Sequence, residues 1–240
     1  KSKLLKTIVA IVSVVAISVG GYTYRDAIHS RIARTAAVVS GQEIKPLLDS
    51  EGRYIRQIVA KDNSTSRTIM WQSDSSEADA VIEFRVDGSE NIQSIGATDK
   101  VFTDDGSTTY IHEGTLTGLT PSTKYEYRVG YGNDRRSDWY SLETAGASVY
   151  DVLIYPDSQS GDYSGWEQLV KDSAHRNPRT ALYISMGDLV DNGEQDYQWR
   201  TWLNSIRPLS ANVPLAPTLG NHEMYTLDWK MREPYAYLNY

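Results

Sequence analysis

The 240-residue chain has no cysteine, only two phenylalanines and only four histidines. The lack of thiols excludes disulfides and thiolate metal sites, so any metal must be held by oxygen and imidazole nitrogen. Positive charge is also short: 24 Lys and Arg against 31 Asp and Glu leave a net charge of −7. That balance argues against a constitutive nucleic-acid partner, which presents a basic face. A phosphate substrate stays open, because bound cations reverse the local field. No internal repeat or low-complexity tract is present. With 40 % hydrophobic residues the chain is an ordinary globular one, of one large domain or two small ones.

One long uncharged run exists. Residues 7–24, rich in Ile, Val and Ala, follow Lys1, Lys3 and Lys6. The run sits at the short end of what spans a bilayer, and the basic start also fits a secretory signal. Residues 1–24 are therefore expected to be a signal peptide or a membrane anchor, the two alternatives remaining open. The rest is expected to act outside the cytoplasm, secreted or at the cell surface. Residues 25–51 read as a connector, helix-compatible at Ile28, Ile32 and Ala36 and polar around Gly41 and Pro46.

Residues 52–146 change to period two. Strands are expected at 54–60, 68–72, 80–86, 108–114, 124–130 and 139–143, separated by turn clusters such as Asp62-Asn63-Ser64 and Asp104-Asp105-Gly106. This pattern predicts an antiparallel β-sandwich. Leu119-Thr120-Pro121-Ser122-Thr123-Lys124-Tyr125 resembles the corner of a fibronectin type III domain, in which a tyrosine hydroxyl ties back to nearby backbone. Trp71 is the expected core anchor, and His112 reads as structural.

Residues 147–240 read as strand, helix, strand, helix, strand. The strands are 152–155, 181–186 and 213–219, the last weakened by Pro214 and Pro217. The first helix has capping-box spacing from Ser164 to Glu167 and stops at Asn177-Pro178; the second carries Trp199, Trp202, Leu203 and Ile206 and is expected to end at Pro208. This order predicts βαβ units on a mostly parallel sheet.

Chemistry-bearing residues follow each of these strands. Asp157 follows the first, Asp188 in Gly187-Asp188-Leu189-Val190-Asp191 the second, and Asn221-His222 in Gly220-Asn221-His222-Glu223 the third. The steps are 188 − 157 = 31 and 221 − 188 = 33 residues. In open α/β sheets functional groups gather at the carboxyl ends of strands, so the three can converge. A carboxylate can bridge two cations while a second carboxylate and an amide oxygen hold one each, which suits in-line displacement on a phosphoryl group. His222 is placed to bond a phosphoryl oxygen or protonate a leaving oxygen.

The two glycine-flanked clusters resemble those of calcineurin-like metallophosphoesterases. Together with the preceding sandwich, and with Tyr110-Ile111-His112-Glu113-Gly114 leading into Leu119-Thr120-Pro121, they resemble the purple acid phosphatase branch. The resemblance covers about residues 54–240. It implies a β-sandwich followed by the first half of an α/β metallophosphoesterase domain, acting on phosphate monoesters with two metal ions (Fe, Mn or Zn). It implies that Asp157 binds the first metal, Asp188 bridges, Asn221 binds the second and His222 contacts substrate. Asp191 stands where that branch has tyrosine, and Gln159 where the wider superfamily often has histidine; either can substitute as a donor. No histidine follows His222, whereas the family completes both metal sites with later histidines. The chain is therefore expected to be the N-terminal part of a longer enzyme. The alternatives are a cell-surface binding module with a vestigial, non-catalytic phosphoesterase half, and a phosphodiesterase or nucleotidase. The expected partners are a phosphate ester and, through residues 1–24, a membrane; oligomeric state is not legible.

Overall fold

The computed structural model describes residues 52–73, 76, 79–146, 150–160 and 163–240. The expected signal or anchor and the connector lie outside the described residues. Within them no helix is long and apolar enough to cross a membrane.

Among the described residues nine strands build the sandwich: β1 (Arg53–Ile58), β2 (Arg67–Ser73), β3 (Ala80–Val86), β4 (Gln93–Gly96), β5 (Thr98–Asp104), β6 (Ser107–Leu116), β7 (Lys124–Tyr131), β8 (Arg135–Arg136) and β9 (Tyr140–Glu143). One sheet contains β1, β2, β6 and β5; the other runs β4, β3, β7, β8, with β9 also on β7. Along β7 the buried residues Tyr125, Tyr127 and Val129 alternate with half-exposed Glu126 and Arg128, so one face meets the facing sheet. Trp71, Ile69, Ile82, Leu116 and Val129 are wholly buried between the sheets. Each such side chain contributes about 1.5–3 kcal/mol of transfer free energy. The Tyr125 hydroxyl accepts the Thr120 N–H at 2.9 Å, closing the expected corner. His112 is buried, stacked on Trp71, and bonded to Asp99 (2.6 Å) and Ser73 (2.8 Å), which fits a structural role.

The α/β elements are β10 (Asp151–Tyr155), α1 (Ser164–Arg176), β11 (Thr180–Ser185), α2 (Asp196–Ser210), β12 (Leu215–Pro217) and a short α3 (Tyr235–Asn239). β10, β11 and β12 are parallel. Both long helices turn apolar stripes onto one core, made of Trp166 and Val170 from α1 and Trp199, Trp202, Leu203 and Ile206 from α2. Two local expectations differ. Ser164 is the first helical residue rather than the cap, which is Tyr163, and Glu167 pairs with Lys171 instead of reaching back. Pro208 lies inside α2, which runs on to Ser210. A proline in the last turn forfeits one helix bond, and buried Leu209 holds that turn against the core.

The two halves share a sheet. β12 lies parallel to β1, with Leu215 opposite Ile58, giving one seven-stranded order β10-β11-β12-β1-β2-β6-β5. The C-terminal end of α2 seals the joint. The Ala211 carbonyl accepts the Tyr127 hydroxyl (2.7 Å) and the Gln57 amide (2.9 Å), and Gln57 in turn accepts Arg67 (3.1 Å). Arg232 adds an ion pair to Asp104.

Candidate metal centre

Because β10, β11 and β12 are parallel, their C-terminal ends open on one edge. Asp157 lies two residues past Tyr155, Asp188 three past Ser185 and Asn221 four past Pro217. The loops are stitched together where they leave the sheet. Met186 N–H donates to the Tyr155 carbonyl (2.9 Å) and Thr218 N–H to the Ser185 carbonyl (2.8 Å). Ser158 and Gln159 both donate backbone N–H groups to the Asp188 carbonyl, at 3.1 and 2.9 Å.

Asp188 has φ +47, the left-handed region that side-chain-bearing residues rarely adopt. Such strain persists only where the surroundings over-determine it. Here they do. Glu223, wholly buried, accepts N–H bonds from Asp188 (3.0 Å), Leu189 (2.7 Å), Val190 (3.3 Å) and Gly220 (2.7 Å). Burial pushes its carboxyl above the ordinary range, against the downward pull of these donors. One carboxylate therefore clamps the Asp188 turn to the Asn221 turn.

The turns also touch directly. A Cβ on Gly220 would fall 2.1 Å from Asp188 Oδ1 and 2.3 Å from its backbone nitrogen, so no side chain fits there. The same oxygen accepts the His222 N–H at 2.9 Å. Asn221 donates through Nδ2 to the Tyr225 hydroxyl (3.3 Å), which turns its carbonyl oxygen to other partners. His222 bonds through Nδ1 to the Asp191 carbonyl at 2.8 Å. A carbonyl only accepts, so Nδ1 carries a proton and Nε2 is the ring nitrogen left to meet another partner. Tyr225 and Trp229 pack edge-on against the imidazole and fix its plane.

The loops draw further support from α2. Gln198 accepts the N–H groups of Asp191 (2.6 Å) and Asn192 (3.1 Å). Trp202 donates to Ser158 Oγ (2.9 Å), which donates to the Leu189 carbonyl (3.2 Å). Sequence reasoning assigned no role to Glu223, Gln198 or Ser158. Glu223 alone carried a signal, as a carboxylate directly after His222; the other two act only through the fold.

The residues fit a cation. Asp157 and Asp188 offer carboxylates, Asn221 an amide oxygen, and Gln159 Oε1 is a buried carbonyl oxygen without a hydrogen-bond partner among the described residues. Among those residues no three His, Cys, Asp or Glu side chains gather as a metal-binding group, and the amide oxygens of Asn221 and Gln159 add to what the two carboxylates offer.

Parallel strands with an acidic and amide cluster at their ends, fused to a sandwich, define a metallophosphoesterase-type protein. Residues 111–240 match the calcineurin-like phosphoesterase family, and residues 54–144 match the N-terminal domain of purple acid phosphatase. The chain belongs to the calcineurin-like phosphoesterase family, and its sandwich is of the kind that precedes the catalytic domain in purple acid phosphatases. Among curated relatives, probable inactive purple acid phosphatase 1 of Arabidopsis thaliana is 28% identical over 136 residues, 48% of this chain and 22% of the relative. A purple acid phosphatase of Glycine max is 29% identical over 124 residues, 49% of this chain and 26% of the relative. The chain thus spans about a quarter of these relatives' length. The purple acid phosphatase PPD1 of yellow lupin (Lupinus luteus) seeds shares the fold, with a TM-score of 0.63 and 21% identity over 72% of this chain and 36% of that one.

Proposed function

We propose that this chain supplies one wall of a two-metal phosphoesterase site acting on phosphate monoesters, in a secreted or surface-anchored protein. The observation that carries this is the Glu223 clamp, which holds the Asp188 turn in a strained conformation beside Asn221 and His222. A strained acidic residue at strand ends needs a reason, and metal ligation supplies one. Asp157 would hold one metal, Asn221 the other, and Asp188 would contact both. When bound, the pair supplies a hydroxide nucleophile and neutralises phosphoryl charge. The protein's own part is positioning. His222, its Nδ1 committed to Asp191, presents Nε2 to bond a phosphoryl oxygen or protonate the departing one. Iron, manganese and zinc all suit a mixed oxygen and imidazole site.

A second reading, a surface binding module with a non-catalytic phosphoesterase half, is favoured by one observation. Glutamine and aspartate occupy positions 159 and 191, where the resemblance leads one to expect stronger metal donors. Equilibrium dialysis against Mn2+ tests the proposal on the 240-residue chain. Weak binding that disappears in Asp188→Ala supports a metal wall; equal binding by both proteins, or none, supports the binding module.

A further inference from the structure

The Gln159 side chain is a motif feature the proposed function leaves unused. Its backbone is pinned, since the Gln159 N–H donates to the Asp188 carbonyl at 2.9 Å beside the Ser158 N–H on the same oxygen. Its side-chain oxygen is buried and has no hydrogen-bond partner among the described residues. Most other buried polar atoms in that condition are donors or hydroxyls, such as Trp166 Nε1 and Arg56 Nε, which have no lone pair to give a cation or hold it weakly. Asn239 Oδ1 is the other side-chain carbonyl, and it belongs to α3 rather than to one of the three motif loops. A buried amide oxygen left unsatisfied is costly, so its retention two residues from Asp157 calls for a partner.

We propose that Gln159 Oε1 is a ligand of the metal held by Asp157 and Asp188, so that every donor these motif loops bring to that position is an oxygen, which favours a hard divalent cation such as Mn2+ or Mg2+. This rests on the reading of Asp157 and Asp188 as metal ligands. Carboxylate and carbonyl donors suit Mg2+ and Mn2+, whereas an imidazole in the same place would draw Zn2+. Hydrogen bonding agrees with the assignment. The loop satisfies the Gln159 main chain through Asp188, so the amide oxygen is held back from the backbone and kept for another charge-bearing partner. Gln159 is thus the residue that sets which metal the first position prefers.

The ratio of affinities is the quantity to measure, because zinc outcompetes manganese at most nitrogen and oxygen sites whatever their hardness. Mn2+ and Zn2+ are titrated into the 240-residue chain, following free Mn2+ by electron paramagnetic resonance and Zn2+ by competition. Gln159→Ala should weaken Mn2+ at least about tenfold, the scale on which metal sites respond to lost support. Gln159→Glu, which keeps an oxygen donor, should bind Mn2+ at least as tightly as wild type. Gln159→His should raise the Zn2+-to-Mn2+ affinity ratio by about tenfold or more. Asp188→Ala separates the two levels of the argument, and circular dichroism checks that each variant is folded. If Asp188→Ala abolishes Mn2+ binding while all three Gln159 variants match wild type in affinity and ratio, the Gln159 assignment is wrong and the metal wall stands. If wild type and Asp188→Ala bind Mn2+ alike, both readings fall.

Discussion

The carboxylate of Glu223 accepts the backbone N–H of Asp188 at 3.0 Å, and with the same oxygen accepts that of Gly220 at 2.7 Å. Two loops that are 32 residues apart in sequence (220 − 188 = 32) therefore turn around one buried side chain. Glu223→Gln keeps the shape but points an NH2 group at backbone N–H donors. It should destabilise the protein by roughly 2–4 kcal/mol, since groups left unsatisfied in the interior cost about 1–3 kcal/mol each. Urea unfolding reads this directly; an unchanged midpoint would show that the clamp contributes nothing.

Gly220→Ala tests the contact between the same loops from the other side. The added Cβ meets Asp188 Oδ1 and N, neither of which can move without undoing the clamp. Overpacking of this kind costs about 1–3 kcal/mol. The variant should lose stability, and a crystal structure should find the Asp188 turn displaced.

Tyr127→Phe probes the joint between sandwich and α/β half. It removes the hydroxyl that donates to the Ala211 carbonyl at 2.7 Å, while Gln57 still donates to that carbonyl. The expected loss is about 1 kcal/mol, the net value of one hydrogen bond. Because the halves share a seven-stranded sheet, unfolding should stay a single transition by fluorescence and far-UV circular dichroism. Two separated transitions would mean that the joint does not couple the cores.

Acid stability has a definite sign at Glu83. Partial burial raises its carboxyl, but hydrogen bonds from Arg136 and Arg128 outweigh that and leave it below the ordinary 4.5. A carboxyl depressed in the folded state adds stability above about pH 4.5 and loses it as pH falls through the folded value. Urea midpoints measured from pH 6 downward, a range in which linkage acts on carboxylates, should fall less steeply in Glu83→Gln than in wild type. Parallel pH profiles would show that Glu83 is uncoupled from folding.

Much of the architecture was legible because it rests on periodicity. Tyr125, Tyr127 and Val129 alternate with Glu126 and Arg128, and the tryptophans of α2 recur at helical spacing. β4 and β5 were missed because they are sheet edges with mostly exposed side chains; Phe102 is the one buried residue of β5. Edge strands carry polar residues on both faces, which erases alternation. The β1–β12 pairing could not be read either, since it joins Ile58 to Leu215, residues 157 positions apart (215 − 58 = 157), through a backbone ladder. In the candidate site, Asp157, Asp188, Asn221 and His222 were visible as polar residues following apolar runs. Glu223 stood in plain view beside His222, but its role and that of Gln198 are to accept backbone N–H groups, and such roles leave no trace in side-chain pattern.

The most direct measurement is phosphomonoester turnover, assayed with p-nitrophenyl phosphate on the full-length gene product and its Asp188→Ala variant. A bridging carboxylate serves both metals, so its loss should lower kcat at least about a thousandfold, on the scale of removing a principal electrostatic contribution. The variant should keep its far-UV circular dichroism spectrum. An Asp188→Ala protein that turns over at near wild-type rates would contradict the metal wall and the function built on it.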